Sequence, residues 1–78
     1  MTDYVPIDCG LYSEYELAIL RGERLRTWWR ERNGRVHIEA LKPRDLKTAN
    51  HEEYLIAEDL QGRQLQLRLD YILKTELV

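Results

Sequence analysis

The sequence has little of what holds or anchors many small proteins. Its 78 residues include one cysteine, Cys9, so no internal disulfide can form. No apolar run approaches the roughly 20 residues that a membrane-spanning helix needs, and the chain does not open with the basic and then apolar residues of a secretory signal. At this length we expect a single domain over residues 1–78. These absences favour a cytoplasmic protein.

Motifs for catalysis and metal binding are also missing. There is no Gly-rich phosphate loop, no paired-cysteine spacing and no His-Glu-x-x-His helix. Cys9 with His37 or His51 offers a nucleophile and a base. Cys9 follows apolar residues, however, and the alternation around His37 predicts an outward side chain, so a packed and inert cysteine is the simpler interpretation. We therefore expect no enzyme activity, no cofactor and no metal site.

Charge is unevenly distributed along the chain, although the formal net charge is only −2. Residues 1–20 contain no Lys or Arg, and we call this segment the acidic head; residues 21–35 contain six arginines and two glutamates, and we call this segment the basic strip. The two segments either attract each other within the fold or serve different partners. The acids of the head are Asp3, Asp8, Glu14 and Glu16.

A β-hairpin is predicted around Asn33-Gly34. Asn-Gly tolerates positive φ at both central positions and is typical of a two-residue type I′ turn. The segments 24–32 and 35–41 alternate on either side of it, as expected for a sheet that is buried on one face. The residues predicted to point inward are Leu25, Thr27 and Trp29 on the first strand and Val36, Ile38 and Ala40 on the second.

The N-terminal third predicts an extended arm and a short helix. Residues 1–12 show no periodicity, and we expect some of their apolar side chains (Tyr4, Val5, Ile7, Cys9) to contact the core. Ser13-Glu14-Tyr15-Glu16 matches a capping box, which predicts a helix over residues 13–22 that ends at Gly22. Its predicted packing residues are Leu17 and Leu20, with Ala18 or Ile19.

The C-terminal half predicts three more strands. Pro43 lacks the amide that a central strand needs, so we expect the second strand to end there and residues 44–51 to form a loop. Strands are predicted at 53–58, 63–69 and 71–75, with a turn at Gln61-Gly62, a bend at Asp70 and the leucines of the fourth strand pointing inward.

Together these elements predict a mainly β protein with one N-terminal helix. About five antiparallel strands over residues 24–75 suggest a small, strongly bent barrel. Barrels of the Sm-like and OB types both fit this description. A helix that precedes a five-strand meander favours the Sm-like arrangement.

The basic strip suggests one binding function. Arginines that alternate around an indole suit single-stranded RNA, because arginine binds phosphate and the indole stacks on a base. The alternative is a solvated strand face whose arginines pair with nearby carboxylates. The residues of this candidate RNA-binding face are Arg24, Arg26, Trp28 and Arg30, with Arg32 beyond them.

The acidic head suggests the opposite function. Its carboxylates alternate with Tyr4, Tyr12 and Tyr15, and such a surface can imitate nucleic acid toward a basic groove. The alternative is that Glu14 and Glu16 only stabilise the N-terminus of the helix, which leaves the lack of any base in this segment unexplained.

The sequence resembles the Rof (YaeO) family, small bacterial inhibitors of the transcription terminator Rho. Matching residues occur in family order across nearly the whole chain. They are Tyr4, Pro6-Ile7, Cys9, Tyr12 and Glu16-Leu17-Ala18 near the start, then Leu25, Gly34, Glu53-Tyr54-Leu55, Gly62, Leu67-Arg68-Leu69-Asp70 and Ile72.

The resemblance implies an Sm-like barrel that binds Rho as a monomer, without DNA or a membrane as partner. Binding at the primary RNA-binding site on the N-terminal OB-type domain of Rho would exclude RNA and cause antitermination. The resemblance assigns this contact to the region around the helix, with a second contact in the loop before Glu53. The implied partner-binding residues are Asp8, Tyr12, Glu14 and Glu16 in the first region and Lys47 and Asn50 in the second.

Overall fold

One antiparallel sheet and one N-terminal helix make up the computed structural model, which describes residues 2–78. The sheet has five strands in the order β4-β3-β2-β1-β5. Within the described residues no pairing joins β4 to β5, so the sheet is open. The predicted mainly β fold with one helix is confirmed. The elements are α1 (Cys9–Arg21), β1 (Leu25–Arg30), β2 (Val36–Ala49), β3 (Glu52–Glu58), β4 (Gln64–Arg68) and β5 (Ile72–Leu77), with a 3-10 turn at Leu69–Tyr71.

Helix α1 begins earlier than predicted. Asp8 is its N-cap, with a carboxylate that accepts from the amides of Gly10 (3.0 Å) and Leu11 (3.3 Å). Asp caps a helix as well as Ser does, and the earlier start adds a turn. The predicted capping box at Ser13 and the predicted arm over residues 9–12 are therefore wrong. The predicted end is confirmed, because Gly22 has a φ of 64° and donates to the carbonyl of Ile19 at 3.2 Å.

The buried side of α1 also differs from the prediction. Tyr15 and Ala18 are only 1% and 2% exposed, and Leu11 packs against the same core. The spacing of these three residues is that of one helix face. The prediction that Leu17 and Leu20 pack inward is wrong, since they are 44% and 82% exposed.

The hairpin between β1 and β2 has a three-residue loop instead of a type I′ turn. The amide of Gly34 donates to the carbonyl of Glu31 at 2.8 Å, and the amide of Glu31 donates to the carbonyl of Arg35 at 2.8 Å. Gly34 has a φ of 90°, whereas Asn33 does not have positive φ. These features match a type I turn followed by a bulge at glycine.

This loop reverses the predicted orientation of the first part of β2. Trp29 pairs with His37, and Leu25 pairs with Leu41, so these residues share the inner face. Shifting a strand by one residue moves every side chain to the other face. Val36 and Ile38 are consequently 50% and 56% exposed. The inward prediction is confirmed for Leu25, Thr27 and Trp29 and is wrong for Val36, Ile38 and Ala40.

Strand β2 continues through Pro43 and bends there. It pairs with β1 as far as Leu41 and with β3 from Lys42 onward, with a bulge between Pro43 and Asp45. A bulge tolerates a residue that has no amide to donate. The predicted loop over 44–51 is therefore wrong, except for its last two residues.

Those two residues, Asn50 and His51, form the turn between β2 and β3. Their φ values are 53° and 64°, and Ala49 pairs with Glu52 across them. The conformation expected of Asn33-Gly34 thus occurs at Asn50-His51.

The remaining strands agree with the predictions. Gly62 has a φ of 80° in the β3–β4 loop, and the 3-10 turn at Leu69–Tyr71 forms the predicted bend. Leu67 and Leu69 are buried, and Leu65 packs against the core. The core consists of Tyr15, Ala18, Leu25, Trp29, Leu41, Leu55, Ala57, Leu67, Leu69 and Ile72.

Candidate partner-binding surface

A shallow groove of about 370 Å³ lies between α1 and β2. The helix contributes Tyr12 and Glu16 to it, four residues apart on one face, and β2 contributes Asp45 and Leu46. The apolar side chains of Ile19 and Leu20 complete the lining. We call this surface the acidic groove.

The electrostatic environment of Tyr12 is negative. Burial raises the pKa of the Tyr12 phenol, and the carboxylates of Glu53, Glu16 and Asp45 raise it further. A raised phenol pKa in this setting means that additional negative charge is disfavoured. A cation placed near Tyr12 would be stabilised by the same three carboxylates.

The N-terminal segment closes one side of this region. The hydroxyl of Tyr4 donates to Glu53 Oε1 at 3.0 Å, and burial together with this bond raises the pKa of Tyr4. Tyr4 and Ile7 pack against the core as predicted, whereas Val5 is exposed. Cys9 is exposed as well, so its predicted packing is wrong.

The structure brings together only part of the predicted partner-binding set. Asp8 and Tyr12 precede Glu16 on the same side of α1 at intervals of four residues, although the Asp8 carboxylate already caps the helix. Glu14 lies on a different side, where burial first and then the Glu14 charge raise the pKa of Tyr15 to about 12. Lys47 is exposed and pairs across the sheet with Tyr54, so it lies in a strand and not in the predicted loop.

Two acids of this region were missed by the sequence reasoning. Asp45 follows Pro43, and only a strand that continues through the proline places it beside the helix. Glu53 was assigned to β3 but not to a site. Asn50 lies in the turn that joins the two strands, beyond Lys47. No sequence signal marks these contacts, because they depend on where β2 bends.

The arginines of the basic strip that lie on β1 face solvent on the outer side of that strand. Arg26, Trp28 and Arg30 alternate with buried residues, and Lys74 Nζ lies 4.9 Å from the centroid of the Trp28 ring. Within residues 2–78 no carboxylate lies within 4.0 Å of any of the six arginines of the strip (Arg21, Arg24, Arg26, Arg30, Arg32, Arg35). The acidic head therefore does not neutralise the basic strip through ion pairs.

Asp3 of the acidic head forms an ion pair with Arg68 and not with the basic strip. The Arg68 guanidinium donates to Asp70 at 2.7 and 2.8 Å and to Asp3 at 2.7 Å, and it lies 3.4 Å from Glu52. The ring of Tyr71 lies 4.1 Å from the guanidinium carbon. Alternation predicts an outward polar side chain, but the N-terminal segment covers Arg68 and leaves it 6% exposed.

The prediction of an outward side chain is also wrong for His37. Its ring stacks on Trp29 with centroids 5.2 Å apart, on the inner face of the sheet. Its Nε2 atom is buried 3.0 Å from Glu31 Oε1, at ion-pair distance but without hydrogen-bond geometry. In the described part of the chain no group of three or more His, Cys, Asp or Glu residues is arranged to hold a metal ion.

No protein-family model matches the chain, and a search of curated proteins found no significant match. Among residues 2–78, no helix has the length and apolar character needed to cross a bilayer.

Proposed function

We propose that this protein binds the transcription terminator Rho and inhibits Rho-dependent termination. The observation that carries the proposal is the groove in which Tyr12 lies with the carboxylates of Glu16 and Asp45, and the charge of Glu53 acts on Tyr12 as well. A surface that binds RNA phosphates is basic, and an aromatic ring among carboxylates is complementary to it in charge and in shape. The resemblance to the Rof family supplies the identity of the partner.

The acidic groove would be the centre of the contact. It is shallow, so it suits a protruding Lys or Arg side chain better than a small free ligand. Tyr12 and Glu16 would meet that cation directly, while Asp8 at the helix start adds negative charge to the same side. Lys47 and Asn50 would form the second contact, further along β2 and its turn. Glu14 would be peripheral.

We also propose that the open sheet curls into an Sm-like barrel. Trp29 of β1 and Leu67 of β4 line one groove although two strands separate β1 from β4 in the sheet, and this curvature supports the proposal. The protein would act as a cytoplasmic monomer, by occupying the primary RNA-binding site on the N-terminal OB-type domain of Rho. No catalytic step is involved.

A competition titration tests this proposal. Labelled pyrimidine-rich RNA is bound to Rho, and the protein is added as competitor. We expect wild type to displace the RNA and Glu16→Lys to compete at least about 30-fold more weakly, since an unmatched interfacial charge typically costs about 2 kcal/mol or more. Glu39→Lys is the matched control, because Glu39 is exposed, forms no ion pair within residues 2–78 and does not line the acidic groove.

The outcomes separate partner from surface. Failure of the wild type to displace RNA from Rho would overturn the proposed partner. Displacement by wild type and Glu16→Lys at equal concentrations would reject the acidic groove, and it would keep Rho as partner only if Rho also binds the immobilised protein in the absence of RNA. Glu14→Lys reports on the helix as a whole, and we expect a smaller loss than for Glu16→Lys.

A further inference from the structure

The outer side of β5, β1 and β2 forms a second surface. The proposed Rho contact does not involve it. Cross-strand pairing places Trp28 between Ile38 of β2 and Lys74 of β5. Arg26 and Arg30 lie two residues to either side of Trp28 along β1. We call this surface the outer basic face, and its residues are Arg24, Arg26, Trp28, Arg30, Val36, Ile38 and Lys74.

The positive charge of this face is largely uncompensated. Within residues 2–78 no carboxylate lies within 4.0 Å of the guanidinium groups of Arg24, Arg26 or Arg30. In the part of the chain that the structure describes, strand pairing places one acid among them, Glu76 opposite Arg26, and it pairs with Lys74 at 2.9 Å. A protein whose net charge is −2 thus presents a row of free cations on one side.

The same face also exposes apolar surface. The three-residue loop turns Val36 and Ile38 outward, where they are 50% and 56% exposed beside the half-buried Trp28. Exposed apolar groups that are rimmed by charge mark an interaction site more often than a random surface does. The ligand must therefore carry negative charge together with flat or apolar groups.

We propose that the outer basic face binds single-stranded RNA. Side chains two residues apart on a strand recur at about 7 Å, so Arg26 and Arg30 can each contact a different phosphate of an extended chain. Trp28 lies between them, where an unpaired base can contact the indole and the adjacent Ile38. A duplex keeps its bases stacked and cannot make this last contact.

An acidic protein is the competing ligand, and the arrangement favours RNA over it. A polynucleotide neutralises a row of arginines in any register because its phosphates are regularly spaced. A protein must supply carboxylates that match each arginine individually. The arginines of β1 alternate regularly and have no carboxylate within 4.0 Å among residues 2–78, which fits the first kind of partner.

The outer basic face and the acidic groove lie on different sides of the sheet. Tyr15 and Ala18 of α1 share the core with Leu25 and Trp29, whose side chains leave the inner face of β1. Trp28 and its neighbours leave the other face. RNA bound there would not block the acidic groove, so one molecule can contact both ligands.

The test is a titration of labelled pyrimidine-rich RNA with the protein alone, at several salt concentrations. We expect saturable binding that weakens as salt is raised. Arg26→Gln combined with Arg30→Gln should weaken binding at least tenfold and reduce the slope of log K against log salt by about 1.4, since each phosphate contact to a single strand contributes about 0.7. Trp28→Ala should weaken binding about tenfold with the slope unchanged, because it removes stacking and no charge.

A matched control carries the same loss of charge elsewhere. Arg21→Gln combined with Arg44→Gln removes two exposed arginines that line a different groove, near the end of α1. This variant should bind RNA within about twofold of wild type at 150 mM salt. Equal weakening by the two double variants would show attraction to net charge alone and would overturn the proposal.

Two further arms separate the ligands. Equal affinity for duplex RNA and for the single strand would overturn the single-strand assignment. Tighter binding of poly-glutamate than of RNA would reject RNA in favour of an acidic protein, and absence of RNA binding at low salt would reject it outright. Rho is not present in these titrations, so their outcome is independent of whether the proposed Rho contact is correct.

Discussion

At the scale of single residues, two adjacent tryptophans have opposite roles. Trp29 is 6% exposed and stacks on His37, whereas Trp28 is half-buried on the outer side of the same strand. Trp29→Ala should lower the free energy of unfolding by about 3–5 kcal/mol, a large part of the total for a small domain. Trp28→Ala should lower it by less than about 1 kcal/mol. Urea denaturation followed by circular dichroism measures both, and equal losses would contradict the register of β1.

The contacts of Arg68 should make the free energy of unfolding depend on pH in the acid range. The hydrogen bond from Arg68 lowers the pKa of Asp3 below 3.8, and hydrogen bonds from Thr2 and Tyr54, with the Arg68 charge, lower the pKa of Glu52 below 4.5. A lowered folded-state pKa stabilises the fold above the unfolded value and loses that effect as pH falls through the folded value. Wild type should therefore lose stability steadily from about pH 4.5 downward.

Arg68→Met should remove part of that dependence. Loss of the Arg68 guanidinium leaves Asp70 and the nearby carboxylates without a cationic partner. Such a loss typically lowers the free energy of unfolding by about 3–5 kcal/mol at neutral pH. The difference from wild type should shrink as Asp3 and Glu52 become protonated. Arg26→Met, at an exposed and unpaired position, is the control and should show little change at any pH. Parallel pH profiles for wild type and Arg68→Met would contradict the assigned role.

At the scale of elements, the start of α1 gives a direct comparison between two caps. Asp8→Ala should cost about 1 kcal/mol of stability because the amides of Gly10 and Leu11 lose their acceptor. Asp8→Asn retains an acceptor and should lose much less. Ser13→Ala should be neutral, since Ser13 is exposed within the helix. A larger effect at Ser13 than at Asp8 in urea denaturation would restore the predicted capping box.

The turn between β2 and β3 contains two residues that glycine would suit better. His51 has a φ of 64°, a conformation that costs an L-residue roughly 1–2 kcal/mol. His51→Gly should therefore stabilise the protein by about 0.5–1 kcal/mol after the added entropy of the unfolded chain is considered. Asn33→Gly is the contrasting variant and should destabilise, because Asn33 does not have positive φ and its Oδ1 accepts from the amide of Arg35 at 2.9 Å. Thermal melts of the two variants should shift in opposite directions.

These two turns illustrate which parts of the fold the sequence could predict and which it could not. Alternation located all five strands except the second half of β2, and Gly22 and Gly62 correctly marked the end of the helix and a turn. Asn33-Gly34 fits a two-residue loop and a three-residue loop equally well. The difference of one residue in loop length decides which face of β2 is buried. His37 lies on the inner face as a result of that register and stacks on Trp29, a contact between strands that no local pattern encodes.

The candidate site was less predictable than the fold. Tyr12 and Glu16 could be found from their spacing on a helix, but Asp45 joins them only because β2 bends at Pro43 and continues. A proline at a bulge looks, in sequence, like a proline that ends a strand. The sequence therefore predicts the acidic helix and not the other wall of the groove.

At the scale of the whole molecule, the sheet separates two surfaces of opposite charge. The acidic groove contains Tyr12, Glu16 and Asp45, and the outer basic face contains exposed arginines on the far side of β1. Sites that share no contacts respond to substitution independently, within about 0.3–0.5 kcal/mol. The two surfaces should therefore be separable by mutation.

Two reciprocal variants test this separation. Glu16→Lys should lose competition with RNA for Rho and keep wild-type binding of RNA in the absence of Rho, within about twofold. Arg26→Gln should keep competition for Rho and weaken binding of RNA in the absence of Rho. The double variant should show both losses, each of the same size as in the single variant. Both titrations are made at 150 mM salt, where a charge on the far side of the sheet is screened over about 8 Å. Loss of direct Rho binding by Arg26→Gln, measured without RNA, would show that Rho contacts the outer basic face, and the two surfaces would then have to be treated as one binding site.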